Sequence, residues 1–385
     1  MSLTDLLPEI KKVSERSELS DKMGEWVAFS RLHGGAAPFT EPETWVSWLE
    51  THPRVEPAIF ELRDETGLLA MLPMYRQGRV YRMAADKDLD YQDLIAKSPD
   101  SAVELLARVI DMCTREGFTF TFSKVAEGTR LHAALIHPRI PQVGAVSKRY
   151  WSSCPTATFR WDEGAGFHSA LSSRQRKDHK SAGRRLKEVF PNSFVEYLDE
   201  GVIPFEKILA VAKLHRENQH RKGGRSIFTD MEFLQFLQRQ SENGAPLRLS
   251  ILWEKEGGAP MAFAVGYFKD HTFYYYLTSY DGRQSELSVG RFLMVETLLH
   301  RAFDCQANVL RLDMLCGLEP YKSRWAKSYY DVLKFQILPK SLAYLPQRAV
   351  YVTVYGLKSV KERVLHCLGR DGVADLEHEG IGLTR

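Results

Sequence analysis

The chain has 385 residues, 44% of them hydrophobic and 26% charged, with a formal net charge of +3. Those proportions fit a soluble globular protein with material for a large core, built as two or three domains or one large one. They exclude a polyelectrolyte that binds DNA over its whole surface, so any basic footprint must be local.

No apolar run approaches the roughly 18 residues that a membrane span needs. The opening MSLTDLLPEIKKVSERSE has no apolar region followed by a small-residue cleavage site, so a cytoplasmic protein is expected. The five cysteines are scattered and form no C-x-x-C pair. That pattern points to reduced thiols rather than a disulfide framework or a zinc site. H-E-x-x-H is absent, and His215 and His220 are badly spaced for one helical face, so no metal is expected.

In chain order, Trp45–Leu49 reads as a short helix after Glu41-Pro42-Glu43. Ala58–Leu62 and Leu68–Tyr75 read as a hairpin turned by Asp64–Gly67. A helix follows from Pro99 to about Arg115, with Ser98 as N-cap and Gly117 just past its end. Phe118–Phe122 is a strand.

The stretch 171–188, LSSRQRKDHKSAGRRLKE, predicts a basic helix capped by Ser172 or Ser173, with Lys177, Lys180, Arg184 and Lys187 on one face. Gly183 inside it costs about 1 kcal/mol against alanine, which suggests a close contact or a kink there.

Leu247–Trp253 alternates as a strand. Met261, Phe263, Val265 and Tyr267 alternate with Ala262, Ala264 and Gly266, so a second strand has one bulky face and one bare face, and something packs close to the bare one. Phe273–Ser279 is a third strand. Ser288 is expected to cap a helix over 289–303, and 309–315 to form the next strand.

Hairpin, strand, helix, strand therefore occurs twice. This predicts an α/β protein with mixed sheet, built as two domains of one fold: 1–150, and 151–338 with the linking helix 171–188. A tail spans 339–385, with an amphipathic helix over 349–368. The boundary is expected near Trp151–Trp161.

A helix start offers unpaired N–H groups and the positive end of a dipole. At 288–291, Gly290 would let a phosphate approach the backbone, and Arg283 and Arg291 could add charge, which makes a pyrophosphate site in principle. The simpler reading is a plain cap. G-x-x-x-x-G-K-[ST], G-x-G-x-x-G and G-x-S-x-G are all absent, which removes the main support for phosphate-loop, dinucleotide and α/β-hydrolase readings.

The segment GLEPYKSRWA at 317–326 follows Asp313. Acyl transfer to an amine or hydroxyl needs a base, a stabiliser for the oxyanion and an acid for the leaving thiol. Asp313 or Glu319 could be the base, Lys322 could stabilise negative charge, and Tyr321 could protonate the leaving group. Alternatively, Glu319-Pro320 opens a helix in which Tyr321 and Trp325 pack and Lys322 is solvated.

From Thr156 to about Phe335 the sequence resembles the cellulose-biosynthesis (CelD/BcsL-type) acetyltransferase family, a branch of the GNAT acyltransferases related to FemAB. The matching pieces are Leu171–Lys177, Leu214-His215-Arg216, Ser288-Val289-Gly290 and Asp313-x3-Gly317-x3-Tyr321-Lys322. Valine stands at 289 where the family has proline, and the Arg/Gln-x-x-Gly-x-Gly/Ala loop of ordinary GNATs is absent at 283–290.

The resemblance implies tandem GNAT-like folds, acetyl-CoA or a longer acyl-CoA as donor, and an acceptor in polysaccharide or envelope biosynthesis. It assigns the donor to Arg283, Ser288, Val289, Gly290 and Arg291 and raises His215 as a substrate residue; Arg174 and Arg176, at the start of the basic helix, either belong to a solvated face, contact the phosphates of CoA or of a nucleotide-linked glycan acceptor as substrate residues, or help to bind tRNA. The alternatives are a FemAB-like transferase that uses aminoacyl-tRNA, and a non-catalytic assembly protein on the same fold.

Overall fold

The computed structural model describes residues 8–341 apart from Ala36 and Gln306. Most of the 339–385 tail, with its expected helix, lies outside the described residues.

The described elements are β1 (Glu9–Val13), α1 (Arg16–His33), α2 (Pro42–Thr51), β2 (Glu56–Asp64), β3 (Gly67–Gln77), β4 (Val80–Met83), β5 (Ile95–Ala96), α3 (Pro99–Arg115), β6 (Thr119–Ala126), α4 (Arg130–Leu135), α5 (Ile140–Val143) and β7 (Ala145–Arg160). After these come α6 (Ser173–Val189), β8 (Phe194–Leu198), α7 (Phe205–Arg221), α8 (Met231–Glu242), β9 (Leu247–Trp253), β10 (Pro260–Lys269), β11 (Thr272–Tyr280), α9 (Val289–Phe303), β12 (Val309–Asp313) and β13 (Ser328–Leu338).

Local chemistry explains several of these elements. Ser98 accepts a hydrogen bond from the Ser101 amide and Pro99 opens α3, so both ends of the expected helix stand. Ser172 caps α6 through the Gln175 amide, and Gln175 returns the bond to the Ser172 amide at 2.8 Å, a reciprocal capping box. Gly183 is explained by a close approach. A Cβ there would lie 3.1 Å from the Phe292 ring of α9, and α6 runs through without a break. Strand β12 stops at Asp313, two residues short of the expected end, because Leu315 adopts a φ of +59°. Helices α1, α7 and α8 and strand β13 have no counterpart in the sequence reading.

The strands form one sheet, ordered β1-β2-β3-β4-β6-β13-β7-β12-β11-β10-β9-β8, with β5 on β3. The repeat is visible in it. Strands β4 and β6 are parallel neighbours joined through α3, and β11 and β12 are parallel neighbours joined through α9. The last strand of each half crosses over. β7, which ends the first half, pairs with β12, and β13, which ends the second, pairs with β6. β7 and β13 also pair with each other over eleven registered positions. Residues 151–160, where the sequence suggested a boundary, therefore lie inside a strand shared by both halves.

The bare face of β10 receives α9. Ala262 and Ala264 pack in one cluster with Val289, Leu293 and Leu298. Phe263, Val265 and Tyr267 on the other face join α7 and α8 in a second cluster. At Gly266 a Cβ would meet the Phe273 ring at 2.5 Å and the Tyr274 carbonyl at 2.6 Å. Neither neighbour can retreat within a packed sheet, so overpacking sets the cost. Gly266→Ala is expected to lower stability by about 1–3 kcal/mol, read as a lower denaturant midpoint at unchanged slope.

Candidate functional site

The parallel ladder between β11 and β12 covers only Thr272–Tyr274 against Arg311–Asp313. Beyond Tyr274 the two strands part. The register of β11 on β10 slips where Gly266 pairs Tyr275 and Val265 pairs Leu277, which leaves Tyr276 as a bulge at the mouth of the splay. Bulges increase twist and bend a strand. From Tyr275 onward the edge of β11 that faces β12 has no strand partner among the described residues.

A cleft of about 380 Å³ opens there, walled by Tyr275, Thr278, Ser279 and Tyr280 of β11, the start of α9, Asn218 and Gln219 of α7 with Lys222 just past its end, and Tyr321, Arg324 and Trp325. Among the described residues its lining carries three cations, Lys222, Arg291 and Arg324, and no carboxylate. A second lobe of about 240 Å³ shares Arg291, Arg324 and Trp325 with it and runs to Ser172, Arg174, Gln175 and Asp178 at the start of α6.

The entry to α9 differs from a plain cap. Ser288 occupies the N-cap position at φ +57° and ψ +36°, and its hydroxyl makes no capping bond. The 3-10 turn Gly282–Leu287 runs directly into the helix, with the Ser288 amide on the Ser285 carbonyl at 3.0 Å. The cap expected at Ser288 is thus absent, and a non-glycine residue holds a left-handed conformation at the cleft wall. Such local strain persists where the surroundings impose it. Gly290 permits a close approach, as expected, but it is the Tyr280 ring that takes it, at 3.2 Å from where a Cβ would sit. Lys222 lies over the other part of this wall, 5.8 Å from the Tyr280 ring centre.

The residues suggested by the sequence divide. Ser288, Val289, Gly290, Arg291 and Tyr321 line the larger lobe, and Arg174 lines the smaller one. Arg283 does not reach either lobe. Its guanidinium is 71% exposed and forks onto Asp281, Nε to Oδ2 at 2.9 Å. Arg176 turns back to donate to the Leu171 carbonyl.

His215 is buried on α7, its Nδ1 2.7 Å from Ser226 Oγ, one turn before Asn218 and Gln219. Burial first, then the charge of Lys222, pulls its pKa down to about 4, so it is neutral at pH 7.

Lys322 is neither solvated nor in the cleft lining. It is 4% exposed, donates to the Cys316 carbonyl at 2.8 Å and pairs with Glu319 at 2.7 Å. Both contacts hold the 316–322 loop closed. The Glu319 carboxylate lies against Gly317, whose φ of +110° and missing Cβ make room for it.

Asp313 sits at the base of the splay, buried, and accepts from Tyr91 at 2.7 Å, Tyr330 at 2.6 Å and the Leu315 amide at 2.9 Å. Burial pushes its pKa up to about 6 against the lowering effect of these three donors. The Cys154 and Cys316 thiols, distant in sequence, meet beside this cluster at 3.6 Å.

Asn218, Gln219, Lys222, Tyr280 and Arg324 belong to the cleft but were not singled out in the sequence, and Trp325 was read there only as a packing residue. Arg324 and Trp325 follow Tyr321 at helical spacing, which was an available signal. The α7 residues became readable only with the helix itself.

The corresponding opening in the first half is filled by its own chain. Residues 84–94 run inward between β4 and α3, burying Leu89, Tyr91, Asp93 and Leu94. Among the described residues no group of three His, Cys, Asp or Glu could hold a metal, and no helix is long and apolar enough to cross a membrane.

Residues 173–323 match the family model described as an acetyltransferase (GNAT) domain. No curated protein matches the chain. Among solved structures, FemX superposes with a TM-score of 0.61 at 10% identity, over 87% of this chain and 98% of that one. L-PGS from Bacillus licheniformis gives 0.54 at 13%, over 90% and 98%. A conserved protein of unknown function from Bacteroides thetaiotaomicron gives 0.52 at 13%, over 87% and 100%. At these identities the likeness is one of fold, and it bears out the expected mixed α/β architecture of tandem GNAT-like folds.

The raised pKa of Asp313 has a stability consequence. A carboxyl that binds its proton more tightly folded than unfolded contributes stability that is complete below the unfolded value, about 4, and lost as pH rises through about 6. Relative to Asp313→Asn, the wild type should therefore lose on the order of 2–3 kcal/mol between pH ~4 and ~7. Urea titrations of both proteins across that range check it, and parallel pH profiles would refute it.

Proposed function

We propose that the protein is an acyl-CoA-dependent acyltransferase that moves an acetyl or longer acyl group to an amine or hydroxyl of a small or glycan-precursor acceptor. The observation that carries this reading is the cationic cleft in the splay between β11 and β12, lying against the start of a fifteen-residue helix.

In this reading the first amides of α9, at Val289, Gly290 and Arg291, together with the dipole end and the Arg291 and Lys222 charges, hold the donor's phosphates. The unpaired edge of β11 gives an extended thioester arm a backbone to lie along. The acyl carbon–sulfur bond breaks as the carbon–nitrogen or carbon–oxygen bond forms. The acceptor loses a proton and the departing thiolate gains one. With no carboxylate among the described residues of the cleft lining, Tyr321 suits a relay: its hydroxyl gives its proton to the thiolate and regains one from the acceptor. Asp313 then acts through structure, locking the base of the splay. The assignment to polysaccharide or envelope chemistry rests on the sequence resemblance.

A second reading, aminoacyl transfer from tRNA, is supported by the exposed Lys177, Lys180, Arg184 and Lys187 on α6. RNA that co-purifies and dissociates steeply with salt would favour it.

Acetyl-CoA or a longer acyl-CoA at about 100 times its Kd should stabilise the fold by about 2.7 kcal/mol, seen as a raised melting temperature. No shift with any acyl-CoA at high excess ends the donor assignment. Tyr321→Phe should lower kcat by about 10²-fold or more and leave acyl-CoA affinity nearly unchanged. A variant with full turnover would remove the relay.

A further inference from the structure

The smaller lobe draws guanidinium groups from three separate elements: Arg174 from α6, Arg291 from α9 and Arg324 from the segment before β13. One carboxylate faces them, Asp178, which pairs with Arg291 at 3.1 Å. Three positive charges against one negative leave a formal +2 in a lobe of about 240 Å³. Arg174 and Arg324 pair with no carboxylate among the described residues. Ser172 and Gln175 close the α6 cap with Oγ and Oε1 as acceptors, which leaves the Ser172 hydroxyl and the Gln175 Nε2 as donors. Trp325, only 6% exposed, and Val295 supply an apolar floor.

Like charges gathered without counterions cost free energy, and guanidinium forks match phosphate oxygens two at a time. The lobe therefore has the chemistry of a site for a phosphate group. The two lobes meet at Arg291, Arg324 and Trp325, and Tyr321 lies in the same short segment as the last two. Two cavities that converge beside one candidate proton relay are what a two-substrate transfer requires.

We infer that the smaller lobe anchors a phosphate of the acyl acceptor, so that the acceptor is a phosphorylated compound rather than a neutral sugar or a free amine. This rests on the acyltransferase reading above for the donor's place in the larger lobe. The other source of the same chemistry is the donor's own ribose 3′-phosphate.

The test uses inorganic pyrophosphate as probe, with wild type and Arg174→Gln, since Arg174 lines the smaller lobe and not the larger one. The Arg174 side chain is exposed, and an unchanged melting temperature without ligand verifies the fold. Pyrophosphate should raise the melting temperature of the wild type even with acetyl-CoA saturating, because the two occupy different lobes. Arg174→Gln should bind pyrophosphate at least tenfold more weakly and bind CoA and 3′-dephospho-CoA as the wild type does.

Equal pyrophosphate affinity in the two proteins overturns the proposal, as does loss of the pyrophosphate effect under saturating acetyl-CoA. A variant that weakens CoA but not 3′-dephospho-CoA assigns the lobe to the donor and overturns the acceptor assignment. If acetyl-CoA itself fails to bind either protein, the donor reading falls. The pyrophosphate comparison without acetyl-CoA then still decides whether the lobe is an anion site.

Discussion

The reciprocal exchange of strands β7 and β13 is the constraint on which the rest of this molecule depends. Each half of the repeat is completed by the last strand of the other, and the two exchanged strands pair side by side at the centre of the sheet. Separating the halves would expose unpaired ladders in both, each bearing backbone groups that are costly to bury unsatisfied. The seam is therefore part of one core and not a hinge. It also brings Tyr91 of the first half and Tyr330 of β13 onto Asp313 at the end of β12. The point where β12 leaves the sheet is thereby held by both halves.

That anchoring explains why the splay opens in the second half. Past Asp313 the chain is turned away by the left-handed Leu315, then by Gly317 and the Lys322 contacts, while β11 continues along β10. The separation leaves a strand edge free and a helix start exposed to the same space. In the first half the same architecture is present, but the connection into α3 is long and is drawn inside, its carboxylates satisfied there: Asp86 accepts from Tyr75, Asp88 from Trp48, and Asp93 from the Leu94 and Leu131 amides. Its Tyr91 is the residue that reaches across to Asp313, so filling the first opening and bracing the second are one event.

The electrostatics follow this geometry. Carboxylates near the cleft are consumed: Asp281 by Arg283, Asp178 by Arg291, Glu319 by Lys322 and Asp313 by two phenols and an amide. What remains toward the cavity is positive. A chain whose net charge is only +3 thus presents a concentrated cationic surface in one place, the arrangement that draws an anionic ligand.

Much of this was legible in the chain itself. Alternation along 247–253 and 261–267, the turn at 64–67, the caps at Ser98 and Ser172 and the apolar stripe of 289–303 are local signals, because side-chain period and capping act within a few residues. From them came the two-fold repeat, the α/β class, and Ser288–Arg291 and Tyr321 as residues of one site. Other features depend on contacts across long separations. The sequence carried no sign that β13 would pair with β6, that Arg283 would turn to Asp281, or that Lys322 would be buried under its own loop. Nor did it show that Tyr91 would find Asp313, 222 positions away. Hydrogen-bond partners and burial are set by which surfaces meet, and that is decided only once the sheet has closed around its exchanged strands.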